Sequence, residues 1–401
     1  MKLKRSTLLT GGGILVASAA TSFTASAQSS VTLYGLIDVG IGYVNHVAAT
    51  PAAIGASKVQ AASGIGSGTR WGLRGNEDLG GGNAAIFVLE NGFNIFNGTS
   101  LQGAREFGRQ AYVGLTNQQF GSITFGRQYD SVVDFVSPLT SAKQWATQYG
   151  AHVGDIDNLY NSFRIDNAIK YTSPSMKGLT VSSLYGFSNQ ASGSAGTGFA
   201  NNRAWSAGAS YANGPLSAAA GYLHLNNPST GNTGGTNTDG AIAGDYTSAT
   251  DIFYAQPVRT QDVVAAGLGY RLGTVAVNFV YSHARLDYTN NTSLTVSTYE
   301  ANSKYSITPA LVAGLALIYS DGSLGGASRI ANVSTGKNPR WGQVNMGVDY
   351  ALSKRSETYV AAIYQKAMGD ATVAAIDNVG GPSGSHASNQ LALIAGLRHK
   401  F

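Results

Sequence analysis

Cysteine is missing from all 401 residues, which excludes a disulfide framework, a thiol nucleophile and any thiolate metal site. Charge is scarce too. Asp, Glu, Lys and Arg make up 12% of the chain, against about 25% in an average soluble domain. There is no Lys/Arg run, so nothing marks a nucleic-acid surface. Beyond the N-terminal segment no apolar run reaches the roughly 20 residues that a spanning helix needs. HExxH and GxSxG are absent, and GIGSG at 64–68 neither matches GxGxxG nor follows a βαβ unit. What is abundant is Gly, 52 residues, and Tyr, 21. Low charge, many tyrosines and no spanning helix suggest a chain whose exterior meets lipid through strands.

Residues 1–27 read as a cleaved signal peptide. Lys2, Lys4 and Arg5 form a basic start, Leu8 to Ala20 a short apolar stretch, and Ala25-Ser26-Ala27 a small-x-small cleavage site. The alternative is a retained N-terminal anchor. Cleavage leaves 28–401 as one domain. It removes three basic residues from 26, and the 23 that remain against 21 acids give a formal charge of +2. Much of the basic character therefore belongs to the leader.

From residue 28 on, the recurring period is two, the mark of a strand with two unlike faces. Val31, Leu33, Ile37, Val39, Ile41 and Tyr43 share one face, and Thr32, Tyr34, Asp38, Gly40 and Gly42 the other. The split returns at 274–282, 341–350 and 391–401. In 105–115 and 120–128 the arginines share parity with apolar residues, so alternation alone does not assign faces there. Turn chemistry marks short connections near 76–82, 117–119, 174–178, 212–215, 272–274, 307–310 and 352–356. Long polar connections fall near 46–68, 94–104, 129–163, 188–201, 226–258, 285–294, 321–339 and 367–389. Seven short and eight long connections, strictly alternating, predict sixteen strands. The fold class this implies is all-β: a 16-stranded antiparallel transmembrane β-barrel, apolar outward and polar inward. Both termini then share one rim, and the first and last strands can pair. Closure matters because an open edge in lipid strands unpaired backbone groups.

At sixteen strands an aqueous channel remains inside. Inner-face glycines such as Gly40, Gly42, Gly347 and Gly396 either widen that channel or mark close packing. The long third loop, 129–163, is expected to fold into the lumen and narrow it, since loops of this length are mostly functional or disordered.

TRWGLRGNEDLGGG at 69–82, AIFVLENGF at 85–93, GRQAYVGL at 108–115, FGSITFGRQYD at 120–130 and the final GLRHKF resemble the general porins of Gram-negative bacteria, in particular the β-proteobacterial type. The match covers essentially all of 28–401. The resemblance implies a homotrimer of outer-membrane barrels with loop three in each lumen, passing ions and small hydrophilic solutes by passive diffusion. It implies no enzyme activity and no cofactor. Phe401 resembles the terminal aromatic that serves as the assembly signal for the barrel-assembly machinery. The segment TSAKQWATQYGAHVGDID departs from the family pattern, so the constriction contacts do not carry over residue by residue.

The candidate constriction has two sides. The wall supplies Arg70, Arg74, Arg109, Arg127, Arg164 and Lys170; loop three supplies Asp130, Asp134, Asp155 and Asp157. Lys or Arg pointing at lipid near the midplane costs about 2–4 kcal/mol, which favours the inward assignment. Charges of opposite sign across a gap set ion preference, and the surplus of cations leans towards anions. Glu90 and Asp166 read as local salt-bridge partners, and Asp155 and Asp157 serve equally well as turn formers. No metal or catalytic residue is assigned. Three alternatives stay open. One is a substrate-specific channel. Another is a barrel hydrolase assembled from scattered Ser and His, the six His lying at 46, 152, 224, 283, 386 and 399. The third is a soluble β-sandwich.

Overall fold

The structure, a computed structural model, describes residues 29–48, 55–189, 201–228, 240–242, 246, 252–254, 256–326, 329–330, 333–376 and 384–401. The expected signal peptide, 1–27, lies outside them. So do parts of the long connections expected at 46–68, 188–201, 226–258, 321–339 and 367–389.

A single antiparallel sheet of eighteen strand segments runs through the described residues and closes on itself. Two pairs of segments are halves of one stave. Arg70–Gly80 pairs with the start of Ser30–Ala48, and Ala56–Ser63 pairs with its continuation. Gly384–Ser385 likewise precedes Asn389–Lys400 along the same neighbour. Eighteen less two gives the sixteen staves that the alternation predicts. The seam forms between Ser30–Ala48 and Asn389–Lys400, with Leu36 opposite Lys400 and Val44 opposite Ala392. Phe401 and Gly35 exchange backbone bonds at 3.1 Å in both directions.

The short-turn rim follows from local sequence. Gly214 and Gly273 open two-residue hairpin connections at φ +57° and +60°, a backbone conformation in which glycine carries no penalty and whose twist suits the flanking strands. The opposite rim differs from expectation. Residues 285–288 and 293 are strand, so only 289–292 connect Val275–Tyr288 to Ser293–Ser306. Leu311–Gly325 and Ser334–Ala351 likewise extend into the stretch expected as loop at 321–339. Outside the lipid the outer face of a strand turns polar, as at Arg285 and Asp287, so the apolar-outward signal is lost while backbone pairing continues.

The wall is therefore uneven. From Val258–Leu272 to Ser356–Ala371 the strands run 14 to 18 residues, whereas from Asn83–Gly92 to Leu179–Gly186 they run 8 to 10. The outer face is the expected apolar band, with Leu268, Phe279, Leu317, Met346 and Leu393 exposed. Tyr171, Trp205, Tyr270, Tyr299, Tyr350 and Phe401 are exposed among them, suited to interfacial girdles. The inner face departs from the polar-inward rule on the tall side. Val263, Val280, Ala284, Leu286 and Leu294 point in and form a dry core with Val136, Val153, Ile156 and Phe163 of the third loop. Apolar side chains are stable there because loop residues cover them, not water.

Candidate functional site

The third loop begins at Asp130, whose carboxylate caps the short helix Ser131–Phe135 by accepting the N–H groups of Val132 and Val133 at 2.8 and 3.1 Å. Its other oxygen accepts from Asn158 at 2.8 Å, tying the start of the loop to its return. From there the chain follows the inner wall. Ser131 meets Ser182 and Ser206, and the Asn302 amide donates to the Leu139 carbonyl at 2.8 Å. Trp145 lies over Gly314 and Gly347, which face each other across two strands. A Cβ on either would fall within 2.7 Å of the indole. The loop reaches the first two staves at Gln148, whose N–H donates to Ile65 O at 2.7 Å, and at Tyr149, whose hydroxyl accepts from Gln60 at 2.8 Å beside Gly42. It then turns back. Gln343 bonds Ala151 O at 3.1 Å and Gln261 bonds Ile156 O at 2.7 Å. Gly42 and Gly347 thus accommodate loop aromatics.

A cavity of about 510 Å³ remains between the loop and the wall near the second to sixth staves. Arg70, Arg109, Lys143 and Arg164 line it, with Asp155 and Tyr160. Arg109 donates to Glu90 at 2.6 Å and to the Tyr129 hydroxyl at 3.2 Å. Glu90 also accepts from the Tyr34 hydroxyl at 3.0 Å and lies 3.6 Å from Arg70. Arg70 donates to the carbonyls of Ser67 and Gly68. Arg164 lies over the Tyr129 ring at 5.8 Å. Lys143 is open to the cavity water, although the barrel encloses it, and its ammonium lies 4.3 Å from the centre of the Tyr160 ring. That enclosure, followed by the charge of Arg109, lowers the Lys143 pKa. Burial, followed by the charge of Asp157, raises that of Asp155. Both shifts make these two groups titrate nearer neutrality than usual. Among the described residues no three His, Asp or Glu groups are placed to hold a metal ion.

The comparisons with known proteins agree with this geometry. Residues 15–370 match the Gram-negative porin family. The chain belongs to that family. It is 32% identical over 361 residues to an outer membrane porin protein of Bordetella pertussis, covering 85% of this chain and 90% of that one. Outer membrane porin protein 32 of Delftia acidovorans is 32% identical over 219 residues, 52% of this chain and 58% of the relative. Among solved structures, the anion-selective porin from Comamonas acidovorans superposes with a TM-score of 0.71 at 22% identity, over 93% of this chain and all of that one. OmpT of Vibrio cholerae in its trimer form gives 0.61 at 17% identity, over 93% and 99%. At such identities the two structures show the fold. This porin is an outer-membrane barrel that forms a general diffusion channel.

The ten charged residues expected at the porin's constriction divide into four groups. Arg70, Arg109, Arg164 and Asp155 share the cavity. Asp155 is also a turn former, since its carboxylate accepts the Tyr160 and Ser162 N–H groups at 2.7 and 3.1 Å. Lys170 and Asp134 pair directly across the wall–loop contact, and Arg127 pairs with Asp166 while donating to Gly108 O at 2.8 Å. Arg74 is exposed and lies 5.4 Å over the Tyr34 ring, towards the short-turn rim and away from the cavity. Asp130 and Asp157 are fully buried in structural roles. The sequence pattern assigns no role to Lys143 or Tyr129, and His152 stands there only as one of six scattered histidines. The acid at the start of the apolar Val132-Val133 pair is a helix N-cap signal that identifies Asp130 as structural. No local pattern points to the partners of His152.

Proposed function

We propose that this porin favours small anions, and that the passage lined by Arg70, Arg109, Lys143 and Arg164 sets the preference. The observation that carries the reading is the imbalance in that cavity, four cationic side chains against Asp155. Unlike charge lining a narrow passage sets ion preference. Glu90 offsets part of the cationic charge from behind, but it is buried under Arg109 and Tyr34 and does not line the passage. The Comamonas structure, described as anion-selective, lends support by analogy.

Transport is passive in this reading, without enzyme activity, cofactor or energy coupling. The working unit is a homotrimer, as in the trimer form of OmpT, set in outer-membrane lipid after the leader 1–27 is removed. The exposed ring of Phe401 is the feature the assembly machinery would recognise. Planar-bilayer recording of the refolded chain 28–401 in a salt gradient tests the proposal. Conductance steps in threes and a reversal potential of anionic sign are expected. A cationic sign would overturn the anion reading, and a folded barrel without conductance would overturn the open passage.

A further inference from the structure

One buried charged group lies outside the passage, against the far wall. His152 places Nδ1 2.6 Å from Asp157 Oδ2 and Nε2 2.9 Å from Glu300 Oε2. His152 is 3% exposed, and Asp157 and Glu300 are not exposed at all. His152 and Asp157 belong to the loop, which leaves the wall after Gly121–Gln128. Glu300 belongs to Ser293–Ser306, seven staves further round a barrel of sixteen. The loop is thus fastened nearly opposite its origin.

The hydrogen bonds match a charged group. Asp157 also accepts the Ser282 hydroxyl at 2.5 Å and the Leu159 N–H at 3.2 Å. Glu300 also accepts the Ser141 N–H at 2.6 Å and the Asn302 amide at 2.8 Å. Every other partner of the two carboxylates is a donor, and with both carboxylates ionised every contact of the cluster is satisfied. A neutral imidazole has one donor nitrogen and one acceptor nitrogen, whereas two acceptors facing it require a donor at both. With both carboxylates ionised the group is carboxylate, imidazolium, carboxylate, and its bond lengths lie in the charge-assisted range. Burial alone would lower the His152 pKa, but Asp157 and Glu300 outweigh it and hold it at about 10.

Gly154 and Asp155, two and three residues on, line the passage. We propose that His152 is a positioning residue for conduction. As an imidazolium it bolts the loop to the far wall and withdraws Asp157 and Glu300 from the charge that permeating ions meet. The proposal rests on reading the cavity as the passage. It adds that selectivity depends on a cation that no ion touches.

The test uses refolded chain 28–401 with 15N-labelled histidine, assigned by comparison with His152→Gln. Both His152 nitrogens are expected at protonated-imidazolium shifts at pH 8; a neutral imidazole there would overturn the proposal, whatever the wild-type selectivity. In bilayers, His152→Gln is expected to raise open-channel noise and to lower the anion-to-cation permeability ratio about twofold, the effect of one uncompensated charge about 10 Å from an ion in water. The double variant His152→Gln/Glu300→Gln removes one positive and one negative charge together and is expected to recover most of the ratio. Asp157→Asn keeps the His152–Glu300 pair, so it serves if His152→Gln does not fold, and increased noise is expected of it. Wild-type noise and permeability in whichever single variant folds would overturn the proposal. A wild-type channel without anion preference would instead sink the selectivity reading and leave the imidazolium measurement standing.

Discussion

The two sides of the lumen treat charge in opposite ways. On the side of the second to sixth staves, Arg70, Arg109 and Lys143 face open space, with the largely buried Arg164 at its edge. On the tall side, Glu300 is enclosed by donors, and Gln261, Gln343 and Asn345 spend their amides on loop carbonyls. Desolvation explains the division. A buried charge is tolerated when paired and fully hydrogen-bonded, and that pairing cancels its field. A charge that acts on a passing ion has to face water. The bolted side fixes the loop in place, and on the open side the cations that line the passage outnumber the acids.

The sharpest way to break this contrast is to unseat the loop from the far wall. Gly347→Leu drives a side chain into the space of Trp145, and overpacking of this kind costs about 1–3 kcal/mol. The unfolding temperature of the barrel, followed by its heat-modified gel mobility, is expected to fall, with conductance altered as well; an unchanged temperature would contradict the seat. Next comes the loop's own start. Asp130→Ala removes the cap of Ser131–Phe135 and the bond to Asn158, a loss of about 1–2 kcal/mol for the cap. Denaturant titration in detergent measures it, and a loss well under that range would show that the wall contacts alone hold the helix.

On the open side the effects shift from stability to permeation. Lys143→Met removes a water-facing cation, worth about 1 kcal/mol to an anion about 4 Å away in water. The permeability ratio should move about fivefold towards cations with the barrel equally stable, read from the reversal potential. Because the Lys143 pKa is lowered, the wild-type preference for anions is full in acid and declines as pH rises through neutrality, before ordinary lysines lose their protons. The same variant should flatten that slope. The smallest effect belongs to a pair on neither side of the lumen. Arg340 and Asp321 meet at 2.7 Å near the loop rim with both side chains nearly half exposed. Asp321→Asn should change stability by no more than about 1 kcal/mol, the ceiling for exposed pairs. A larger loss by the same titration would mean that the tall rim is structurally demanding.

Much of the barrel was legible because lipid imposes a rule on each strand separately. Val277, Phe279 and Tyr281 announce their outward face within five residues. The legibility ends where that environment ends. Residues 285–294 read as a loop because Arg285 and Asp287 interrupt the apolar face, yet Arg285 pairs with Thr295 in the ladder. The apolar inner face of Val280, Ala284 and Leu286 contradicts polar-inward alternation because a distant segment covers it. The arginines of the passage were placed inward by the cost of pointing a charge at lipid. The His152–Glu300 contact spans 148 positions and leaves no periodic trace. Nor does the seat of Trp145 on Gly314 and Gly347. Contacts inside the lumen depend on where the loop lies, which no strand's own pattern encodes.

The reciprocal bonds between Gly35 and Phe401 also carry a statement about time. They join the first stave to the last, so this contact has close to the greatest sequence separation the described chain allows. Loop-closure entropy makes such pairings slow to form. Until they form, Ser30–Ala48 and Asn389–Lys400 each present an unsatisfied edge, the kind of surface that templates aggregation. Closure at residues 35 and 401 is thus the natural last step of assembly, and every earlier intermediate needs its two edges shielded until that step is complete.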